Sequence, residues 1–178
     1  MIGLQVFTMS LLKGLKSKME FELVKIDGGN VNILENLFQL YLHDISYYLT
    51  FEVDNEGKFF AYDIVSWVQK SENFGYLIYS GGKLCGFVMV DRECLASKSE
   101  GTLNLSEIFV LNAYKGKGLA SAVLERVFSE HKAVWEVRPV YKSVQAHGFW
   151  KKFFANYNKK SELVEYKSER YAYIFSSK

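Results

Sequence analysis

Residues 115–120, KGKGLA, end a strand-like run and open an apolar helical one. Gly116 and Gly118 permit a tight turn, and the first amides of a helix have no intrahelical acceptor. The helix dipole favours negative charge at that end, so the chemistry on offer is anion capture without a metal. Lys115 and Lys117 add cations, Leu119 begins the helix, and the small Ala120 keeps the approach open. The same residues also suit a plain loop, with glycine needed only for its dihedral and the lysines in solvent. Two nucleotide motifs fail on spacing. A phosphate loop needs four residues between its first glycine and Gly-Lys, then Ser or Thr, and a dinucleotide turn needs a third glycine and a downstream acid.

Other chemistries have weaker footing. His43, His131 and His147 are scattered, and Cys85 and Cys94 match no metal spacing, so no metal is expected. Two cysteines offer no disulfide framework, which points to a reducing, cytoplasmic compartment. The 22 Lys and Arg against 20 Asp and Glu leave a net charge of +2. That balance supplies no electrostatic footprint for nucleic acid or an acidic membrane.

The turn must be held by the elements around it. FELVKI (21–26) alternates as a strand, and DGGN follows as a turn. Leu34, Leu37, Phe38, Tyr41, Leu42 and Ile45 recur at helical spacing, with Asn32 and Glu35 placed for a capping box. Phe60, Ile64, Trp67 and Val68 indicate a shorter helix. FGYLIYSGGKLCGFVMVDR reads as two strands about a Ser-Gly-Gly turn. LNLSEIFV (103–110) is a strand, and Leu119, Val123, Leu124, Val127 and Phe128 stripe a helix. AVWEVRPV (133–140) is a buried strand with Pro139 at an end or bulge. Ala146, Phe149, Trp150 and Phe153 stripe another helix, and LVEYK and YAYIFSS close the chain as strands.

This order predicts an α/β (α+β) fold in one domain over residues 19–178, a mixed sheet with helices on both faces and a parallel crossover within 103–140. The first eighteen residues carry their lysines after the apolar stretch, the wrong order for a secretory signal. They read as an N-terminal extension, with an amphipathic surface anchor as the alternative.

KGKGLA resembles the acetyl-coenzyme A turn of the GNAT superfamily, the Gcn5-related N-acetyltransferases: Arg or Gln, two free positions, Gly, one free position, Gly or Ala. The resemblance extends over the element order from about Phe21 to the C-terminus. It implies an N-acetyltransferase with acetyl-CoA as cosubstrate, in which an amine attacks the thioester directly. Amides from Lys115 to Ala120 would hold the pyrophosphate, and Phe109 and Val110 would line the pantetheine arm, with the Val110 amide near the thioester carbonyl. Lys115 stands at the usual Arg or Gln position without a guanidinium fork.

SVQAHGFWKKF (143–153) is similar to the family's Asn-x-x-Ala-x-x-Phe-Tyr pattern, with Ser143 for the Asn and Trp150 for the Tyr that commonly acts as acid. Phe149 and Trp150 would pack on the pantetheine arm, with a purely structural stripe against the sheet as the alternative for Phe149 and Phe153. An indole cannot protonate a thiolate, so Tyr141 is a substitute acid, the alternatives being unaided departure or a binding module with weak catalysis. Glu107 is the candidate base, sharing a strand face with Phe109 while Ile108 and Val110 share the other. A salt bridge or a capping role is its structural alternative. Glu136 and Arg138 share a face and either recognise a polar acceptor or pair with each other. Asp44, Tyr47 and Tyr48 lie where the family builds part of its acceptor pocket. The acceptor is a small-molecule or peptide amine, and a homodimer is a family-level expectation.

Overall fold

Gly81 and Gly82 both take positive φ, 56° and 71°, the conformation that turns one strand back on the next in a two-residue hairpin. They join β2 (Phe74–Ser80) to β3 (Lys83–Asp91) in the hairpin expected there. The computed structural model describes residues 20–178 except Ala61 and Asn158, so the extension expected over 1–18 lies outside the described residues.

The remaining strands are β1 (Glu22–Lys25), β4 (Leu103–Val110), β5 (Val134–Val137), β6 (Ser161–Lys167) and β7 (Arg170–Ser176). The helices are α1 (Val31–Leu49), α2 (Ile64–Gln69), α3 (Leu119–Glu130) and α4 (Val144–Asn156), and a short 3-10 turn spans Asn112–Tyr114. One sheet runs β1-β2-β3-β4-β5-β7-β6. Among these strands only β4 and β5 pair in parallel, as the crossover through α3 requires. Pro139 falls just beyond β5, where no ladder needs its amide.

Period-two alternation divides the core. Leu77, Phe87, Met89 and Phe109 face α1 and α2, where they meet Leu34, Leu37, Phe38, Tyr41 and Trp67. Ile78, Val88, Val90, Leu105, Val110 and Trp135 face α3 and α4, against Val123, Leu124, Phe128, Trp150 and Phe153. Helices therefore cover both faces, and β3 and β4 contribute to both clusters.

The capping box expected at Asn32 and Glu35 does not form. Asn30 is the N-cap of α1 and makes no side-chain capping bond. Its amide side chain instead closes the preceding turn, donating to the Lys25 carbonyl at 2.9 Å and accepting from the Asp27 amide at 3.0 Å. Local turn bonds compete for the same short polar side chain that a cap would use.

Candidate active site

Strand β4 is where the sheet parts. It pairs with β5 only through Leu103↔Trp135, Asn104↔Glu136 and Leu105↔Val137, while β4 itself continues to Val110. Among the described residues, 106–110 thus have no sheet partner on the β5 side. On its other side β4 carries a bulge: Met89 pairs with Glu107 and Val90 with Leu105, leaving Ser106 as the extra residue. The bulge slips the alternation by one. Leu105 stays with the α3/α4 cluster, whereas Glu107 turns with Phe109 toward α1.

Beyond Val110 the chain makes its 3-10 turn and reaches the glycines. Gly116 and Gly118 have φ of +75° and +87°, and a Cβ at either would meet nothing. Their necessity is dihedral rather than steric. Gly118 caps α3 without a side-chain bond, and the first helical bond runs from the Ala122 amide to the Gly118 carbonyl at 3.1 Å. The amides of Leu119, Ala120 and Ser121 are the first-turn donors with no intrahelical acceptor. Both lysines are engaged within the chain. Lys115 pairs with Asp44 of α1 at 2.6 Å, and Lys117 donates to the Ala113 carbonyl at 2.8 Å.

A cavity of about 640 Å³ occupies the parted sheet. Its lining includes Val110, Lys115, Gly116, Gly118, Leu119, Ala120, Ser143, Phe149 and Trp150, and also Tyr48 and Tyr114. Ser143 lines it while capping α4, accepting from the Ala146 amide at 3.1 Å. A second cavity, of about 620 Å³, lies toward α1 and the β6–β7 turn, and Tyr141 lines this one rather than the first. Tyr41, Ser106, Glu107 and Arg138 belong to the walls of both.

Glu107 therefore stands where the cavities meet. Burial pushes its carboxyl up to about 7, with the Tyr41 hydroxyl opposing, Asp91 adding and Arg138 opposing. Tyr41 donates its hydroxyl directly to Glu107. Burial, and then the neighbouring Glu107, raise that phenol well above its ordinary range. A carboxyl near 7 can exchange a proton under ordinary conditions, and the phenol holds its orientation.

Four expectations about side chains are corrected. Phe109 lines neither cavity. It is 5% exposed and is taken up by the α1/α2 cluster, where it packs against Tyr41 and Phe87. Glu136 lines neither cavity and takes the alternative expected of it, the pair with Arg138. It is wholly buried and receives the amides of Leu95, Ala96 and Ser97 at 2.8, 2.9 and 2.6 Å, together with the Arg138 guanidinium. Burial works against its charge, but these four donors hold its carboxyl below the usual range. Tyr47 is 86% exposed on the outer side of α1, edge-on to Tyr48. Asp44 lines neither cavity and instead ties α1 to Lys115.

Sequence reasoning missed Tyr41 as a functional group, since its helical spacing placed it in an apolar stripe. Its hydroxyl was the available signal: a buried phenol needs an acceptor. It also missed Tyr62, Tyr166 and Arg170, which line the second cavity. These come from separate elements with no shared motif.

Among the described residues no group of His, Cys, Asp and Glu is arranged to hold a metal, and no helix is long and apolar enough to cross a membrane.

The sequence model of the Acetyltransferase (GNAT) family matches residues 34–155. No curated protein matches the chain. Solved structures share its fold. An acetyltransferase from Thermus thermophilus is 15% identical, with 89% of this chain and 98% of that one covered and a TM-score of 0.63. The GNAT domain of S. lividans PAT is 16% identical, covering 88% and 89%, with a TM-score of 0.61. Spermidine N-acetyltransferase from Vibrio cholerae, solved with CoA and spermine, is 14% identical, covering 88% and 92%, with a TM-score of 0.54. Because the family match spans well over half of the chain and the fold recurs in solved acetyltransferases, the chain belongs to the GNAT family of acetyltransferases.

Proposed function

We propose that this chain is an acetyl-CoA-dependent N-acetyltransferase in which Glu107 takes a proton from the acceptor amine. The observation that carries this reading is Glu107 in the shared wall of two cavities, with its carboxyl raised to about 7. One cavity suits the cosubstrate and the other suits the acceptor.

The residues present fit acetyl-CoA. Gly116 and Gly118 hold the positive φ values that turn free amides toward an anion. The backbone of β4 after Leu105 has no described sheet partner on one side, so its polar groups can pair with the amides of a pantetheine arm. Phe149 and Trp150 offer an apolar wall to that arm. When bound, the cosubstrate supplies an activated acetyl thioester.

The chain's own groups do the rest. Glu107, ionised above about pH 7, accepts a proton from the acceptor ammonium directly or through water, and Tyr41 steadies the carboxylate. The Val110 amide, on the first cavity, is the donor proposed for the thioester oxygen. A C–N bond forms as the C–S bond breaks. Of the two protons shed by the nitrogen, one passes to solvent by way of Glu107 and the other to the departing thiolate. Tyr48 and Tyr114 are phenols on the first cavity. They replace Tyr141 as candidate acids, because Tyr141 lines the other one. Two free cysteines, Cys85 and Cys94, suit a reducing compartment, and a cytoplasmic location belongs to the same proposal.

Trp150, 5% exposed in the cavity wall, favours a second reading, an acyl-CoA-binding module with little turnover. Calorimetric titration with acetyl-CoA and desulfo-CoA, followed by thiol release across a panel of amines, separates the two. Tight binding with turnover supports the transferase, and binding without turnover supports the module. Failure of both ligands to bind overturns both. Glu107→Gln should lower kcat on the order of 10²-fold while sparing acetyl-CoA affinity.

A further inference from the structure

Two arginines line the second cavity, and their situations differ. Arg138 is committed: its guanidinium donates to Glu136 and, at 2.9 Å, to the Glu93 carbonyl. Arg170 begins β7, directly after the β6–β7 turn. Its guanidinium lies 4.5 Å over the ring of Tyr141, yet it joins no ion pair among the described residues. A guanidinium held over an aromatic ring can still offer its N–H groups to a carboxylate, which arginine receives through two parallel bonds.

The wall formed by β3 and β4 has the opposite character. Asp91 and Glu107 both line the cavity there. Asp91 is 3% exposed and accepts from Asn104 at 2.7 Å and from the Glu93 amide at 2.9 Å. These are neutral donors, so no bonded cation among the described residues cancels its charge. Glu93 contributes less, being largely in solvent and paired with Lys70 at 3.5 Å. Apart from Arg138, already paired with Glu136, the cavity is thus dipolar, acidic on the β3–β4 wall and basic at the β6–β7 turn. Ile45, Phe51 and Tyr62 supply apolar surface to its lining.

A polyamine would put a second cation against Arg170, and a plain carboxylic acid would face Asp91 and Glu107. Like charges brought together in a partly desolvated site are costly. A molecule with an ammonium and a carboxylate satisfies both ends, and about 620 Å³ is ample for one of metabolite size.

We propose that the acceptor is an amino carboxylic acid with an apolar body, its amine at Glu107 and its carboxylate on Arg170. This rests on the N-acetyltransferase reading and narrows it.

Matched pairs test it: L-phenylalanine with 2-phenylethylamine, and 5-aminopentanoic acid with pentylamine, at saturating acetyl-CoA. In at least one pair the acid should exceed its partner lacking the carboxylate in kcat/KM by about tenfold or more. The favoured pair tells whether the carboxylate sits beside the amine or remote from it. Arg170→Gln should collapse that ratio through the KM of the acid, and Arg170→Lys should restore part of it. Preference for the plain amine in both pairs overturns the proposal while leaving the transferase reading intact, as does a loss in Arg170→Gln that falls equally on both members. If no amine is acetylated, the transferase reading fails separately. Calorimetric binding of the two acids to the CoA-loaded protein then decides: no binding, or equal binding by the wild type and Arg170→Gln, overturns the carboxylate site.

Discussion

Glu107 and Tyr41 make a hydrogen-bonded pair from two residues 66 positions apart. Burial raises the carboxyl to about 7, and the phenol acts against that rise by donating to the charged form. In the proposed mechanism the working base is the ionised carboxylate, so kcat/KM should climb as pH rises through about 7 and level above it. Tyr41→Phe removes the donor that favours ionisation. The limb should therefore move to higher pH by roughly one unit, with smaller losses on the alkaline plateau. Initial rates between about pH 6 and 9 check this, and an unmoved limb would show that Tyr41 serves packing alone. Glu107→Gln should lose the limb altogether and retain only the slow plateau.

Strand β4 performs three tasks at the element scale. It closes against β3, bulges at Ser106 to re-aim Glu107, and leaves its far half unpaired beside β5. Gly86 of β3 makes the first possible, since a Cβ there would stand 2.0 Å from the Phe109 carbonyl oxygen. Gly86→Ala should cost about 1–3 kcal/mol in denaturant titrations. The acetyl-CoA dissociation constant should also rise, because β4 must shift where it borders the first cavity. On the opposite flank, Glu136 gathers the loop after β3 by accepting the amides of residues 95–97 while holding Arg138. Glu136→Ala leaves three amides without their acceptor and removes the carboxylate partner of the Arg138 guanidinium. A loss of about 3–5 kcal/mol is expected from chemical denaturation, larger than for Glu136→Gln, which keeps an acceptor oxygen in place.

At the scale of the whole molecule, one sheet separates two hydrophobic clusters, and β3 and β4 supply side chains to each. Neither cluster can dissolve without exposing strands that the other needs, so the described region should unfold in one cooperative step. The tryptophans report on both sides: Trp67 lies in the α1/α2 cluster, and Trp135 and Trp150 lie in the α3/α4 cluster. Their fluorescence and far-UV circular dichroism should give coincident urea transitions. A separate early fluorescence phase would mean that the faces melt independently. Saturating acetyl-CoA, at about 100 times its dissociation constant, should add about 2.7 kcal/mol to that transition.

The element order, the two-faced sheet and the parallel crossover were legible in the residues, because periodicity and turn glycines act over a few positions and need no partner from elsewhere. The positions of Gly116, Gly118 and Glu107 were legible for the same reason, each lying on or beside one strand-turn-helix passage. The linear chain could not show that the alternation slips at Ser106, since a bulge is defined by the strand opposite. Nor could it decide whether Glu136, unlike Glu107, is held within the fold. Both are glutamates on adjacent strands, but one is met by three amides and an arginine and the other by a phenol at the junction of two cavities. Sequence alone determined which elements form and where glycine turns a strand onto the start of a helix. Only the tertiary structure decided which carboxylate keeps an exchangeable proton, because burial and the donors that oppose it come from elements far apart in the chain.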